Sequence, residues 1–349
     1  MVRILTAPDL IPLRRLGAVM SDTMHVSGAV QPRTPPQTQP ERNPAGSAGH
    51  RPGPGVPQEF VHRPFIDDIL VTSWHRRDES HFSLTAQWPH DHGYFTPVHG
   101  RHHLILTGET IRQAGLLLCH TELGVPVGHH FILGDLVYTT HPEHLAVGGG
   151  PTRLTIDVTC SRMRMRAGRL TSGHFDMTIR KAGRIVATGH SDVTVTSPAV
   201  YRRIRGDRLT ARRSLAALPA AVPHHLTGSA DDRDVLLSPT GRPDRWRLRI
   251  APGHAAMVNP ANDHIPGMLL LDAAQQAARV LTAPQEFVPY AFGTEFRRYA
   301  EHGVPCDIEA RLVPSALPCT TTVQVTGIQD GRPVFASTLT ALDDRRRAH

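Results

Sequence analysis

The chain has 349 residues, of which 40% are hydrophobic, 20% are charged and 5% are aromatic. This length predicts about two domains, since a domain usually has ~100–200 residues. No apolar run is long enough for a membrane-spanning helix, and the N-terminus, interrupted by Pro8, Asp9 and Pro12, lacks the apolar stretch of a signal peptide. Four cysteines without a C-x-x-C pair do not indicate a disulfide scaffold. We therefore expect a cytoplasmic protein that does not bind membranes.

The formal net charge is +7, from 38 Lys and Arg residues against 31 Asp and Glu residues. Such an excess favours anionic partners, for example phosphorylated metabolites or an acidic carrier protein. The most basic segment, YRRIRGDRLTARR (201–213), lacks both the interleaved aromatic residues and the fold signature of a nucleic-acid binder. We therefore do not expect nucleic acid as a partner.

The first 58 residues are predicted to form a disordered extension, because 31–58 is rich in Pro, Gly and polar residues and offers almost no side chain for a core. Two blocks that resemble each other follow, and they are predicted to be domains. The predicted segments are an extension over 1–58, a first domain over 59–197, a connector over 198–234, a second domain over 235–342 and a tail over 343–349.

The two blocks match each other at three places, which indicates an internal duplication. The matched segments are AQWPHDHGYF (86–95) with AMVNPANDHIPG (256–267), LTGETIRQAGLLLCH (106–120) with LLLDAAQQAARVL (269–281), and 179–195 with 327–342. The first pair shares a proline before Asp-His. The second shares a carboxylate four residues before Gln-Ala, and the third shares a Gly-Arg turn between alternating apolar residues.

Each block is predicted to contain a strand, a Pro/Asp/His loop, one apolar helix and a series of antiparallel strands. The strands after the helices are predicted over 131–140, 153–163, 169–179, 184–195, 290–299, 306–314, 320–328 and 333–342. Short glycine turns between them suit hairpins. One helix wrapped by a curved antiparallel sheet is typical of a hotdog domain, so the predicted class is an α+β double hotdog. A Rossmann fold is disfavoured because helices do not alternate with strands.

Both predicted helices carry a polar stripe headed by a carboxylate. The stripes comprise Glu109, Arg112 and Gln113 in the first helix, and Asp272, Gln275, Gln276 and Arg279 in the second. A solvent-facing stripe and a stripe that lines a cleft between the repeats are both compatible with the spacing, and the duplication favours the cleft.

Burial in a partly apolar cleft is expected to raise the pKa of the carboxylate toward the range of a general base. Arg112 is expected either to keep Glu109 ionised or to bind a substrate phosphate. The free N–H groups at a helix N-terminus suit a developing thioester oxyanion.

The sequence contains 23 histidines, but HPEH (141–144), HH (129–130) and HGRHH (99–103) lack a recognised ligand spacing, so no metal is predicted. His92 and His264 occupy matched loops ahead of the two helices, and both a structural and a catalytic role remain open for them. A serine-nucleophile elbow, a P-loop and a dinucleotide-binding motif are all absent from the sequence.

Several motifs resemble the A-factor biosynthesis (AfsA-type) proteins of actinomycetes. These motifs are FVHRP (60–64), AQWPHDHGYF (86–95), GETIRQAGLLLCHTELGVPVGHHFILGDL (108–136), LTIDVTC (154–160), SPAVYRRIRGDR (197–208), DHIPGMLLLDAAQQAA (263–278) and FRRYAEHGVPC (296–306). The resemblance covers roughly 60–342. It implies an acyltransferase of γ-butyrolactone autoregulator synthesis, which joins a β-ketoacyl group from an acyl carrier protein or CoA thioester to the hydroxyl of dihydroxyacetone phosphate. It implies no metal and no redox cofactor, and it leaves the oligomeric state open.

The resemblance also implies a catalytic pattern, Glu with Arg three residues later, in both repeats. Glu109 and Arg112 match it, whereas Asp272 and Gln275 replace both residues in the second repeat, which is therefore altered in substrate or silent. Arg279, Arg297 and Arg298 are candidates for the missing cation. The predicted catalytic residues are Glu109, Arg112 and Asp272, and the predicted substrate-binding residues are Gln113, Gln275, Gln276, His92, His264, Arg297 and Arg298.

Two alternative functions remain open. The first is a hotdog thioesterase or dehydratase that acts on acyl thioesters. The second is a catalytically degenerate paralogue that acts as a regulator, which the departures at Asp272 and Gln275 would suit.

Overall fold

The computed structural model describes residues 55–95, 97, 100–210, 218–252, 254 and 262–343. The predicted N-terminal extension therefore lies almost wholly outside the described residues, as does the predicted tail beyond Asp343. Part of the loop ahead of the second central helix, 255–261, lies outside them too.

The described residues form five α-helices and fourteen strands. The helices are α1 (Gln58–Val61), α2 (Ile105–Thr121), α3 (Pro198–Arg205), α4 (His224–Thr227) and α5 (Gly267–Thr282). The strands are β1 (Val71–Arg76), β2 (His81–Trp88), β3 (His130–Thr140), β4 (Thr152–Arg166), β5 (Arg169–Lys181), β6 (Arg184–Thr196), β7 (Leu237–Arg242), β8 (Arg245–Leu248), β9 (His264–Ile265), β10 (Pro289–Phe296), β11 (Ala300–Glu301), β12 (Asp307–Val313), β13 (Thr320–Gln329) and β14 (Arg332–Leu342). The two predicted central helices and the eight strands predicted after them are confirmed. Ahead of each helix the pattern predicts one strand, where the structure has the hairpins β1–β2 and β7–β8.

Twelve of the strands form one antiparallel sheet in the order β1-β2-β4-β5-β6-β3-β10-β14-β13-β12-β8-β7. The first six belong to the first repeat and the last six to the second. The order in the second half mirrors that in the first, so β3 and β10 meet in the middle and β1 and β7 lie at the edges. The two repeats are therefore related by a pseudo-twofold axis near the β3–β10 pair.

Each repeat wraps its half of the sheet around one central helix. Fourteen of the 17 residues of α2 and 12 of the 16 residues of α5 are buried, and each helix packs on strands of its own repeat. At Gly108 a Cβ atom would lie 3.1 Å from Met268 Cε, so the two helices approach each other closely there. This arrangement confirms the predicted double hotdog. Among the described residues, no helix is both long and apolar enough to cross a membrane.

A four-residue helix packs against each central helix. Both short helices follow a proline, Pro57 before α1 and Pro223 before α4, and both are followed by a residue in the left-handed conformation. Helix α1 packs on α2, and α4 packs on α5. The second structural repeat therefore includes α4, which lies near the end of the predicted connector. Helix α3 lies at the start of that connector.

Candidate functional site

A buried glutamine ties α2 to the chain segment just ahead of β1. The Oε1 atom of Gln113 accepts a hydrogen bond of 2.8 Å from the N–H of Leu70, and its Nε2 donates to the carbonyl of Asp68 at 2.7 Å. Nε2 also lies 2.6 Å from the carboxylate of Glu109, one turn earlier in the helix. The predicted substrate-binding residue Gln113 therefore orients the helix and its carboxylate.

The second repeat reproduces this arrangement. Gln276 accepts a hydrogen bond of 2.8 Å from the N–H of Leu236 and donates to the carbonyl of Asp234 at 3.0 Å. It also donates to the carboxylate of Asp272 at 3.2 Å. The matched partners establish that Glu109 and Asp272 occupy equivalent positions in the two copies.

The carboxylate of Glu109 is bound by two arginines in addition to Gln113. Its Oε1 accepts from Nε of Arg63 at 2.9 Å and from Nη2 of Arg112 at 2.8 Å. Its Oε2 accepts from Nε of Arg112 at 2.9 Å and lies 2.5 Å from Nη2 of Arg63. The residue has no exposed surface.

This environment lowers the proton affinity of Glu109, whereas the sequence predicts that burial raises it. Burial alone would raise the pKa of Glu109, but the charges and hydrogen bonds of Arg112 and Arg63 outweigh burial and lower the pKa to about 2. The prediction of a raised pKa is wrong at this position, whereas the expectation that Arg112 keeps Glu109 ionised is confirmed. Glu109 stays ionised, and both its oxygens are occupied.

The equivalent carboxylate, Asp272, has different neighbours. Its Oδ2 accepts from the hydroxyl of Tyr94 and from Gln276, and no described residue forms an ion pair with it. Burial raises its pKa, and the hydrogen bond from Tyr94 and the charge of Arg279 oppose this only in part. The predicted increase in pKa is therefore confirmed for Asp272, the carboxylate of the repeat that departs from the family pattern.

The polar stripes lie at two cavities. The first, of about 460 Å³, is lined by Arg112 and Leu116 of α2 together with the start of α5 and the loop before it. The second, of about 320 Å³, is lined by Asp272 and Arg279 of α5 together with residues from the segment before α2. The prediction of one shared cleft is wrong, because the pseudo-twofold axis gives each helix its own cavity. Each cavity is nevertheless built by both repeats.

The first cavity combines cationic and apolar walls. The arginines that line it are Arg63, Arg112, Arg297 and Arg298. The apolar side chains include those of Leu116, Phe131, Ile132, Leu133, Val193, Ile265, Met268 and Phe296. The first two residues of α5 also line it, and N–H groups at the start of a helix have no intrahelical acceptor.

The two matched histidines have different surroundings. His264 lines the first cavity, and its Nδ1 lies 2.8 Å from Oδ1 of Asp263. His92 lines neither cavity. Its Nδ1 accepts from the backbone N–H of Tyr94 at 3.1 Å, and its Nε2 lies 3.2 Å from Oδ1 of Asp68. His92 therefore holds a loop in place, whereas His264 is available to a ligand.

Of the three arginines proposed for the missing cation, only Arg279 lies in the second cavity. Its Nη1 donates to the carbonyl of Thr227, the last residue of α4, at 3.0 Å. In the first repeat Nη2 of Arg112 donates at 3.0 Å to the carbonyl of Val61, the last residue of α1. Arg279 thus donates to the carbonyl that is equivalent to that of Val61. It does so although it lies one helical turn further from Asp272 than Arg112 lies from Glu109.

The remaining predicted binding residues lie at a rim or inside the core. Arg297 and Arg298 are exposed at the first cavity, where Arg297 pairs with Glu295 at 3.0 Å. Gln275 is fully buried, lines neither cavity, and neither of its amide atoms has a hydrogen-bond partner among the described residues. Nothing in its surroundings resembles a substrate contact.

Sequence reasoning does not identify Arg63, Tyr94 or Asp263, which complete these sites. All three nevertheless lie in motifs that carry the family resemblance. A weaker signal is the match between IDDIL (66–70) and DRDVL (232–236), which marks the two segments that the buried glutamines bind.

Two surface groups bring possible metal ligands together. His141, Glu143 and His144 form one, and His174, Asp176 and His190 form the other, with ligand atoms within 4.8 Å of one another in each. Neither group lines a cavity, so neither belongs to the candidate site.

The family described as the A-factor biosynthesis hotdog domain matches residues 50–197 and 210–342. The chain belongs to this family. The 2-oxo-3-(phosphooxy)propyl 3-oxoalkanoate synthase of Streptomyces coelicolor is 46% identical over 285 residues, which are 81% of this chain and 90% of that protein. The synthase of the same name from Streptomyces virginiae is 42% identical over 281 residues, which are 80% and 95% of the two chains. The resemblance inferred from the motifs is confirmed.

Solved structures with a similar fold are more distant. A putative oleoyl thioesterase from Lactobacillus plantarum superposes with a TM-score of 0.49 at 13% identity, over 76% of this chain and 98% of that one. A MaoC-like dehydratase has a TM-score of 0.42 at 18% identity, over 72% and 86% of the two chains. Likenesses at this level decide nothing about the reaction.

Proposed function

We propose that this protein is an acyltransferase that moves a β-ketoacyl group from a thioester to the hydroxyl of dihydroxyacetone phosphate, and that it does so in the first cavity. The names of its Streptomyces relatives describe a synthase of such a phosphorylated ester. Both substrates are cytoplasmic metabolites, so the proposal includes a cytoplasmic location.

The observation that carries the proposal is the charge of the first cavity. Four arginines, Arg63, Arg112, Arg297 and Arg298, line it, against one carboxylate in its described lining, that of Asp263. The first two of these arginines also bind Glu109. At the rim, Arg298 forms no ion pair with any described residue, and Arg297 pairs with one carboxylate. A planar guanidinium binds phosphate through paired hydrogen bonds.

The apolar wall and the start of α5 suit the other substrate. The wall accepts the acyl chain, since burying each methylene is worth about 0.8 kcal/mol. The N–H groups of Gly267 and Met268 stand where the helix dipole favours negative charge. They suit the oxyanion that forms on the thioester carbonyl during attack.

Glu109 and Arg112 then have separate roles. Arg112 is partly exposed to the cavity, with 20% of its side chain accessible, and it contacts the phosphate. Glu109 is the fixed counter-ion that holds Arg112 and Arg63 in position. Asp272 and Arg279 form a second, chemically different site in the second cavity.

The test is to incubate the purified protein with dihydroxyacetone phosphate and a β-ketoacyl thioester, offered on an acyl carrier protein or on CoA, and to analyse products by mass spectrometry. The expected result is a phosphorylated β-ketoacyl ester together with one equivalent of free thiol. Thiol release that is unchanged when the phosphate is omitted would identify a thioesterase instead. The absence of turnover with either donor would favour the regulatory alternative.

A variant tests the phosphate site. Arg112→Gln is expected to raise the KM for dihydroxyacetone phosphate by about tenfold to a hundredfold, because a charge-assisted hydrogen bond is worth about 1.5–3 kcal/mol. Arg311→Gln, the same change on β12 and outside both cavities, is the control and should leave the KM unaltered. Equal KM values for both variants would remove Arg112 from the binding site.

A further inference from the structure

The proposed acyl transfer requires a group that removes the proton of the attacking hydroxyl. Glu109 is unsuited, because both its oxygens accept hydrogen bonds from arginines. We propose that His264, oriented by Asp263, is the general base of the first cavity. This assignment rests on the proposed function.

The hydrogen bonds of Asp263 fix the proton of the imidazole. Its Oδ1 lies 2.8 Å from Nδ1 of His264 and accepts from the hydroxyl of Tyr201 at 2.8 Å, and its Oδ2 accepts from Nε of Arg205 at 2.6 Å. A carboxylate with these partners accepts only, so Nδ1 of His264 carries the hydrogen. Nε2 therefore keeps its lone pair, and no described residue binds it.

Asp263 is itself held rigidly. Arg205 is 3% exposed, and its Nη1 and Nη2 atoms bind the two oxygens of Glu301 at 2.6 Å and 2.7 Å. Its guanidinium lies over the ring of Tyr299, with Cζ 4.5 Å from the centroid. Burial alone would raise the pKa of Asp263, but hydrogen bonds from His264, Arg205 and Tyr201 lower it. Asp263 therefore remains a carboxylate, which stabilises the imidazolium that forms when His264 takes a proton.

The loop places this base next to the predicted oxyanion site. His264 and Ile265 form β9, which pairs with β11 through Glu301 and Ala300. Only Ile265 and Pro266 separate His264 from the first residue of α5. One short segment thus carries both the base and the helix N–H groups, and Arg112 lines the same cavity.

The second cavity lacks an equivalent base among its described residues. Two histidines line it, His103 and His225, and neither is hydrogen-bonded to a carboxylate of the described residues. Nδ1 of His103 accepts from the N–H of Ile105 at 3.3 Å. Burial, followed by the charge of Arg279, lowers the pKa of His103 to about 3. Burial and the charge of Arg279 thus disfavour the protonated form of His103.

The step balances without a further reactant. The hydroxyl oxygen of dihydroxyacetone phosphate attacks the thioester carbon while its proton moves to Nε2 of His264. The carbonyl electron pair forms an oxyanion at the start of α5. When that pair returns, the C–S bond breaks, and the departing sulfur takes the proton from Nε2. The products are the ester and a free thiol, and the base is regenerated.

The test compares His264→Asn with the wild-type protein. Asn keeps a donor for Asp263 but has no base at the position of Nε2. We expect kcat for ester formation to fall by about 100-fold to 10,000-fold, the usual contribution of a general base. The Kd for dihydroxyacetone phosphate and the Tm should change little. His75→Asn, on the exposed part of β1, is the matched control and should keep wild-type kcat.

Asp263→Asn tests the positioning role through the pH profile of kcat/KM. The groups that face His264 are Asp263 itself, Tyr201 and Arg205 of α3, Tyr299, Glu301 of β11 and His130 of β3. Loss of the carboxylate removes the charge that stabilises the imidazolium of His264. The acidic limb of the kcat/KM profile should therefore move to lower pH. A merely structural role for Asp263 would leave the limb in place.

The outcomes separate the two proposals. Wild-type kcat in His264→Asn, with ester still formed, would overturn the base assignment and leave the function standing. Failure of the wild-type protein to form the ester under any condition would overturn the function itself.

Discussion

Replacing Glu109 by Gln tests whether this carboxylate is a structural counter-ion. Gln has nearly the same shape but no charge, so the variant removes the carboxylate that binds the guanidinium groups of Arg63 and Arg112. Arg63 has 7% of its side chain exposed, so water cannot replace the lost partner. We expect the variant to be strongly destabilised.

The structure gives the magnitude in two ways. Lowering the pKa of Glu109 from 4.5 to about 2 corresponds to about 3 kcal/mol, because a tenfold change in an equilibrium is worth about 1.4 kcal/mol. Removing one partner of a buried ion pair usually costs about 3–5 kcal/mol. The expected loss in the free energy of unfolding is therefore about 3–5 kcal/mol at pH 7.

The direction of this pKa shift determines how the free energy of unfolding depends on pH. Since the folded pKa lies below the unfolded one, the stabilisation is fully present above about pH 4.5 and is lost as the pH falls toward 2. The difference between wild type and Glu109→Gln should therefore shrink over that range. Urea unfolding at a series of pH values measures both curves.

Asp272→Asn is the matched control, since Asp272 holds the equivalent position. Burial raises the pKa of Asp272, so its ionised form destabilises the folded state at neutral pH. We expect this variant to be as stable as wild type or more stable. Equal destabilisation by both substitutions would refute the claim that the two carboxylates lie in opposite electrostatic environments.

Two further predictions concern packing. Gln275→Leu should raise the free energy of unfolding by about 1–3 kcal/mol, because its buried amide has no partner among the described residues and such a group carries a desolvation penalty of that size. Denaturant titration measures the gain, and a large increase in KM would instead make Gln275 a substrate ligand. Gly108→Ala should destabilise by about 1–3 kcal/mol through overpacking, since its Cβ would lie 3.1 Å from both Met268 and Tyr138. Gly115→Ala in the same helix, with its nearest atom at 3.9 Å, should be neutral or stabilising, and equal effects would contradict the close approach of the helices at Gly108.

The sequence predicts the fold well because the relevant signals are local. Strands β4 to β6 and β12 to β14 alternate with period two, and both central helices are continuous apolar segments. The equivalence of Glu109 and Asp272 can also be predicted from the sequence, because each carboxylate is followed four residues later by Gln-Ala in the same helix. These features depend on neighbours within about one helical turn.

The electrostatics of the site depend on partners that are distant in the chain. Arg63 lies 46 residues before Glu109, and Tyr94 lies 178 residues before Asp272. A pattern within one helix contains neither contact. The sequence therefore predicts the same effect of burial on both carboxylates, whereas one pKa is lowered and the other raised. It predicts a single cleft for the same reason, since the pseudo-twofold axis is a property of the assembled sheet.

Part of the contrast between the two sites follows from the position of one arginine on the central helix, in addition to the ion pair of Arg63 with Glu109. Arg112 follows Glu109 by three residues and reaches both its carboxylate and the carbonyl of Val61. Arg279 follows Asp272 by seven residues, still binds the equivalent carbonyl of Thr227, and forms no ion pair with Asp272. Moving the cation by one turn thus preserves the contact that fastens the short helix and removes the one that neutralises the acid. The same scaffold thereby yields an ionised carboxylate paired with arginines in one repeat and a carboxylate with raised proton affinity in the other.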